Sequence, residues 1–241
     1  MSDTPKKPRA RTSAKTGAPS AKQAAPEGQT PRRDDVVLKE AVLLAALPHA
    51  AFDGFTAGVL EKAGAQAGAT KAELARLFEN GPVSLIEYYS IWADQQMEHA
   101  LAAGNLAALK IRERIAAAVK ARLAVLKPNK EAARRAAAAL SLPMNAALGA
   151  KLMYRTVDAM WRAAGDTATD FNFYTKRGIL AGVYASTAMR WFTDTSEDEK
   201  PTDDFLAARI ENVMQFEKFK AKAKDALAKF PTFADLTKPR T

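Results

Sequence analysis

From Asp34 onward no stretch of this chain alternates apolar and polar residues as a strand would. Instead Pro and Gly interrupt an alanine-rich helical pattern about every 15 to 25 residues. Segments of that length bury an apolar stripe only by packing on other helices. The fold class is therefore all-α: about nine helices in a bundle, plus a C-terminal amphipathic helix. Asp34 or Asp35 caps a first helix to about residue 51, and Pro48 is expected to kink or end it near Leu47. A second helix covers 56–67 and stops at Gly68. Thr70 caps a third over 71–78, and Asn80-Gly81-Pro82 breaks the chain. Ser84 caps a fourth helix to about 103. The fifth spans 106–127, and Pro128-Asn129 opens a sixth that ends near Pro143. The seventh covers 145–164, closed by Gly165, and the eighth 170–192. A ninth runs over 202–216 and a tenth from there to Phe230.

The formal charge is +9, and it sits at the two ends. Residues 1–33 hold eight Lys/Arg against Asp3 and Glu27, and residues 217–241 hold seven against Glu217, Asp225 and Asp235. The body between them is close to neutral, which weakens the inference from net charge to a nucleic-acid partner. Residues 1–33 carry almost no large apolar side chain and read as a disordered basic tail without the apolar core of a secretory signal. No apolar run reaches the ~20 residues that a bilayer span requires. The chain divides into this tail, a helix-turn-helix region at 34–80, a helical domain at 81–216 and a C-terminal helix and tail at 217–241.

Several chemistries are missing from the sequence. With no cysteine there is no disulfide, thiolate nucleophile or thiolate metal site, and His49 and His99 stand alone. No Gly-rich phosphate loop, nucleophile elbow or paired E-x-x-H motif occurs, so no enzyme activity, metal or cofactor is expected. Asp166 and Asp170 lie between two buried helices, and capping of the eighth helix is the plain role for Asp170. Lys151, Arg155, Asp158 and Arg162 form a charged face on the seventh helix with ion pairs inside the helix. The eighth helix is apolar on more than one side, and Gly178, Ala181, Gly182 and Ala185 would admit either a tightly packed neighbour or a ligand.

Two regions point to function. Residues 34–79 have the outline of a TetR-type helix-turn-helix, with the third helix, Lys71 to Glu79, in the recognition position. That helix sets Lys71 and Arg76 against Glu73 and Glu79, which suits phosphate contacts poorly. A DNA-binding repressor remains the alternative reading. At the other end Phe216, Phe219, Ala223, Leu227 and Phe230 recur at helical spacing among lysines that include Lys220 and Lys224. This is the pattern of an interfacial helix on an anionic membrane, where each lysine contributes ~1 kcal/mol.

The run from Thr156 to Arg177 is compositionally unusual. With Ala46-Leu47-Pro48-His49, Phe52-Asp53-Gly54-Phe55, Lys110 to Ile115, Ala121-Arg122-Leu123 and Asp194-Thr195-Ser196, it resembles the ubiquinone-biosynthesis accessory family, the lipid-binding proteins numbered nine in the coenzyme Q series. The resemblance covers most of residues 36–216. It implies a TetR-like helical fold without repressor activity or nucleic-acid binding, and a cavity for an isoprenoid quinone precursor or other lipid. The apolar lines of the seventh and eighth helices supply the cavity candidates: Met153, Val157, Met160, Trp161, Leu180, Tyr184 and Trp191. The resemblance also implies a homodimer that is peripheral on the inner face of the bacterial cytoplasmic membrane, or on the matrix side in a mitochondrion. There it would present its lipid to a hydroxylase of the di-iron demethoxyubiquinone type. The implied partner patch is Asp166, Asp170, Asn172, Phe173, Tyr174 and Arg177. Phe173 and Phe55 stand where some members have Trp, and Ala168 where Ser is common.

Overall fold

A computed structural model of the chain describes residues 1–2, 33–166 and 171–228, with side chains from 34 to 166 and from 173 to 215. Among the described residues there are nine α-helices and no strand. They are α1 (Arg33–Asp53), α2 (Ala57–Gln66), α3 (Lys71–Leu77), α4 (Pro82–Ala102), α5 (Ile111–Leu126), α6 (Lys130–Leu140), α7 (Ala146–Ala163), α8 (Phe171–Thr193) and α9 (Lys200–Ala228).

Local chemistry sets most of the boundaries. The Thr56 hydroxyl accepts from the Val59 N–H at the start of α2. At α3 the Thr70 hydroxyl accepts from the Glu73 N–H while the Glu73 carboxylate accepts from the Thr70 N–H, a reciprocal cap. Gly68 and Gly165 follow α2 and α7 at φ 74° and 86°, a backbone region that a side chain disfavours.

Four boundaries differ from the sequence expectation. Pro48 does not end α1, which continues to Asp53. Its ring displaces the hydrogen bond to the Leu44 carbonyl. Leu44 and Pro48 both lie on the exposed side, so the lost bond falls outside the core, while Leu43, Ala46, Leu47 and Ala50 fix the helix to the core. Ser84 is inside α4 and not its cap: the helix starts at Pro82, and the Ser84 hydroxyl accepts from the Asn80 N–H. The fifth helix starts at Ile111 and not 106, because the Glu113 carboxylate accepts from the Lys110 N–H and closes the first turn there. The expected ninth and tenth helices are one continuous helix, α9.

The described residues from Arg33 onward belong to one compact unit. Here α1 packs on α2, α4 and α6, and α4 packs on α5 and α7. A single core runs through them, with Leu43, Leu85, Met97, Val119, Met160, Trp191 and Leu206 at most 1% exposed. The charged face of α7 mostly serves neighbouring helices. Lys151 pairs with Glu87, Arg155 with Asp94 and Arg162 with Glu98, and only Asp158–Arg162 is internal to the helix. The small-residue stripe of α8 is not a tight packing seam among the described residues, since a Cβ added at Gly178 or Gly182 would meet none of them within 4 Å.

Asp194-Thr195-Ser196 forms the turn from α8 to α9. One Asp194 carboxylate oxygen accepts from the Ser196 N–H and hydroxyl, and the other from the Thr202 N–H and hydroxyl. Those bonds hold the Asp194 carboxyl well below the usual carboxylate range. Its contribution to stability is therefore present at neutral pH and is lost only as the pH falls through that lowered value.

Candidate functional site

Five helices, α4 to α8, surround a cavity of about 440 Å³. It exists because small side chains face one another across it. Ala133, Ala136 and Ala137 on α6, Gly149 and Ala150 on α7, and Ala185 and Ala188 on α8 leave the interior unfilled. Gly149 is required for this geometry. A Cβ there would stand 2.8 Å from the Leu140 carbonyl oxygen, so α6 and α7 could not approach as they do. Larger apolar side chains complete the wall: Ile86, Leu126, Met153 and Phe192. The volume falls in the range of small-molecule sites, which are mostly apolar with a few placed polar groups.

The polar groups come from α4, α5, α7 and α8. Arg122, 3% exposed, donates from Nε to the Asp94 carboxylate at 2.9 Å and from Nη2 to the Ser90 carbonyl at 3.1 Å. Asp94, 2% exposed, also accepts from the Thr156 hydroxyl at 2.8 Å, and the half-exposed Arg155 approaches its other oxygen at 3.7 Å. Burial pushes the Asp94 carboxyl up, against the pull of Arg122 and Thr156. Tyr89 stacks between Phe55 and Trp92 with ring centroids 6.2 and 6.3 Å away. Burial pushes its phenol up to about 12, so it is a neutral donor at any physiological pH. Tyr184 faces the same cavity, and its phenol is pushed up by burial as well.

A second apolar groove of about 280 Å³ lies between α5, α7, α8 and α9, lined by Ile111, Ile115, Trp161, Leu180, Ile210 and Met214, with Arg112 and Lys176 also on its walls. The sequence-derived cavity residues therefore do not form one set. Met153 and Tyr184 line the larger cavity, and Trp161 and Leu180 the groove. Val157, Met160 and Trp191 reach neither, because each is at most 1% exposed in close-packed core. The Trp191 indole N–H donates to Glu199 at 2.8 Å, and Lys130 lies 4.9 Å from its ring centroid.

The expected partner patch also divides. Arg177 is 3% exposed and pairs with Asp158 at 2.7 Å and Asp166 at 3.2 Å, while its guanidinium lies 3.3 Å from the Phe173 ring centroid. The Asp166 side chain is only 5% exposed and pairs with Lys176. These two residues brace the start of α8 and do not face outward, whereas Tyr174 is 66% exposed. Asp170 and the side chain of Asn172 lie outside the described residues. In the C-terminal helix Phe216, Phe219, Lys220, Lys224 and Leu227 fall on α9, but their side chains lie outside the described residues, as does Phe230 altogether. Among the described residues no group of three His, Asp or Glu could hold a metal, and no helix is long and apolar enough to cross a membrane.

The α7–α8 segment is also where comparison with known proteins gives a match. The COQ9 family model matches residues 146–217, from the first turn of α7 into α9. Over those residues the chain is similar to the COQ9 family. The ubiquinone biosynthesis protein COQ9, mitochondrial, of Rattus norvegicus is 33% identical over 184 residues, which is 73% of this chain and 59% of the rat protein. The Homo sapiens protein of the same name is 32% identical over 184 residues, 73% of this chain and 58% of its own. The chain thus spans less than two thirds of the length of these COQ9 relatives. Among solved structures, a TetR transcriptional regulator from Nitrosomonas europaea superposes with a TM-score of 0.60 at 21% identity, over 73% of this chain and 97% of that one. That likeness establishes the fold, a TetR-like helical bundle.

Tyr89 and Asp94 escaped the sequence reading, and Arg122 entered it only as part of the family resemblance, although a signal was present. Ile115, Val119, Arg122 and Leu126 recur at helical spacing on one face of α5, so Arg122 is a charge within an apolar stripe. Asp94 likewise falls among Tyr89, Ala93, Met97 and Leu101 on the buried side of α4. A charge in such a position is retained only with a partner.

Proposed function

We propose that this chain is a non-catalytic lipid-binding accessory of ubiquinone biosynthesis. It holds an isoprenoid quinone precursor in the α4–α8 cavity and presents it to a hydroxylase of the di-iron demethoxyubiquinone type. The observation that carries this reading is the cavity itself: an alanine-lined void with a few polar side chains. The names of the rat and human relatives support the pathway and a mitochondrial setting for those proteins. An isoprenoid tail costs ~0.8 kcal/mol per methylene exposed to water, so a carrier needs an apolar shelter more than a catalytic group. Tyr174, exposed at the start of α8, is the residue of the patch best placed to meet the hydroxylase.

Lipid extraction and mass spectrometry of the purified protein test the carrier. The wild type should yield an isoprenoid quinone or related apolar lipid. Ala137→Phe with Ala188→Phe should reduce the lipid content more than about tenfold, since the rings displace several methylenes at ~0.8 kcal/mol each. Thermal unfolding of that variant should stay cooperative. An empty wild-type protein, or undiminished lipid in the filled variant, contradicts the proposal.

The C-terminal part of α9 is the membrane contact in this reading, on the inner face of a bacterial cytoplasmic membrane or the matrix side of a mitochondrial one. Lys220→Gln with Lys224→Gln should weaken co-sedimentation with anionic vesicles about thirtyfold, at ~1 kcal/mol per lysine. Unchanged co-sedimentation would make this an ordinary solvated helix. The TetR-like fold also raises DNA binding as a second reading. Against it, both Arg76 Nη atoms already bond the Asp35 carboxylate, at 2.8 and 2.7 Å, so the recognition position offers few free cations.

A further inference from the structure

Two residues of the cavity wall carry buried donor atoms that no group among the described residues uses. Tyr89 Oη and Arg122 Nη1 are shielded from solvent and have no hydrogen-bond partner among the described residues. Both residues line the cavity and are 3% exposed. Leaving such groups unpaired is costly, and native proteins tolerate it chiefly where a ligand or water completes them. The rest of the Arg122 guanidinium is committed, Nε to Asp94 and Nη2 to Ser90, so its orientation is fixed before any ligand arrives.

Charge decides which ligand these donors suit. Asp94 sits within 2.9 Å of Arg122 and is itself buried, so the buried positive charge is already matched. A phosphate or carboxylate entering here would bring an unmatched negative charge beside Asp94, whereas a carbonyl, methoxy or phenol oxygen would accept from both donors at no such cost. We infer that Tyr89 and Arg122 form a polar subsite that selects an uncharged, oxygen-bearing head, such as a quinone or phenol ring, over an anionic lipid head. The apolar tail then lies along the alanine-rich faces of α6 and α8. This subsite rests on the carrier reading above.

Tyr89→Phe is the direct probe. It removes only the unpartnered hydroxyl and keeps the ring that stacks with Phe55 and Trp92, so the variant should fold as stably as the wild type. Binding is read with delipidated protein by tryptophan quenching with decylubiquinone, and by competition with decylbenzene and with decyl phosphate. The wild type should prefer decylubiquinone to decylbenzene, and decyl phosphate should compete poorly. Tyr89→Phe should lower the preference for decylubiquinone over decylbenzene several-fold, up to about tenfold, the range of one hydrogen bond. The double variant Asp94→Asn with Arg122→Met, which removes both charges together, should lower it as well. An unchanged preference in both variants overturns the subsite while leaving the carrier reading intact. Stronger competition by decyl phosphate overturns the uncharged-head selectivity. Failure of the wild type to bind either neutral decyl compound overturns the carrier reading and this inference with it.

Discussion

Asp94→Ala should destabilise the protein by about 3–5 kcal/mol, the cost of leaving one member of a buried ion pair without its partner. Arg122 is 3% exposed and its nearest carboxylate is Asp94 at 2.9 Å, so the variant keeps a guanidinium in the interior with nothing to neutralise it. The Thr156 hydroxyl loses its acceptor in the same step. For a domain of ordinary stability, about 5–15 kcal/mol, this is a large fraction of the whole. Urea unfolding measures it as a fall in midpoint with the slope unchanged. The double variant Asp94→Asn with Arg122→Met should lose less than Asp94→Ala alone, because it leaves no lone charge and keeps an acceptor for Thr156. Equal losses would mean that packing, and not the stranded charge, sets the cost.

This ion pair marks the limit of what the sequence made legible. Local rules worked where the signal was local. Thr70 announced the cap of α3, and Gly68 and Gly165 announced the ends of α2 and α7. They misled where tertiary packing overrode them. Pro48 reads as a breaker, but α1 continues past it, with buried residues on both sides of the proline. The junction expected at Phe216 does not occur, and no Gly or Pro interrupts residues 202–228. The cavity was harder still. Alanine is a good helix former at exposed positions, yet Ala133 and Ala136 are buried and leave a void by being small. Which alanines face inward together depends on how α6, α7 and α8 dock, and no single-helix period reports that. Asp94 and Arg122 are 28 residues apart on different helices, so their pairing too exists only in the assembled bundle.

Trp191→Ala is the second large effect, and it separates a core residue from a cavity residue. A tryptophan lining an open pocket loses little stability on truncation, because the pocket already lacks contacts on that side. Trp191 is 0% exposed and enclosed, so its loss should cost about 3–5 kcal/mol through lost burial and the void left behind. The consequences should concentrate at the α8–α9 turn. The indole N–H holds Glu199, which stands at φ 52° just before α9 and also pairs with Lys127. Lys130 packs over the indole and donates to the Asp194 carbonyl, so truncation loosens both sides of the turn. Hydrogen exchange should accelerate first in the opening turns of α9 and only later in α4 and α5. Trp191→Phe keeps most of the buried area and should lose only about 1 kcal/mol, for one hydrogen bond. If the C-terminal part of α9 is the membrane contact, then Trp191 fixes the angle at which that helix leaves the bundle. Trp191→Ala should accordingly weaken vesicle binding at temperatures where the bundle is still folded. Slow exchange across the start of α9 in that variant, with vesicle binding intact, would show that the Asp194 turn holds α9 by itself.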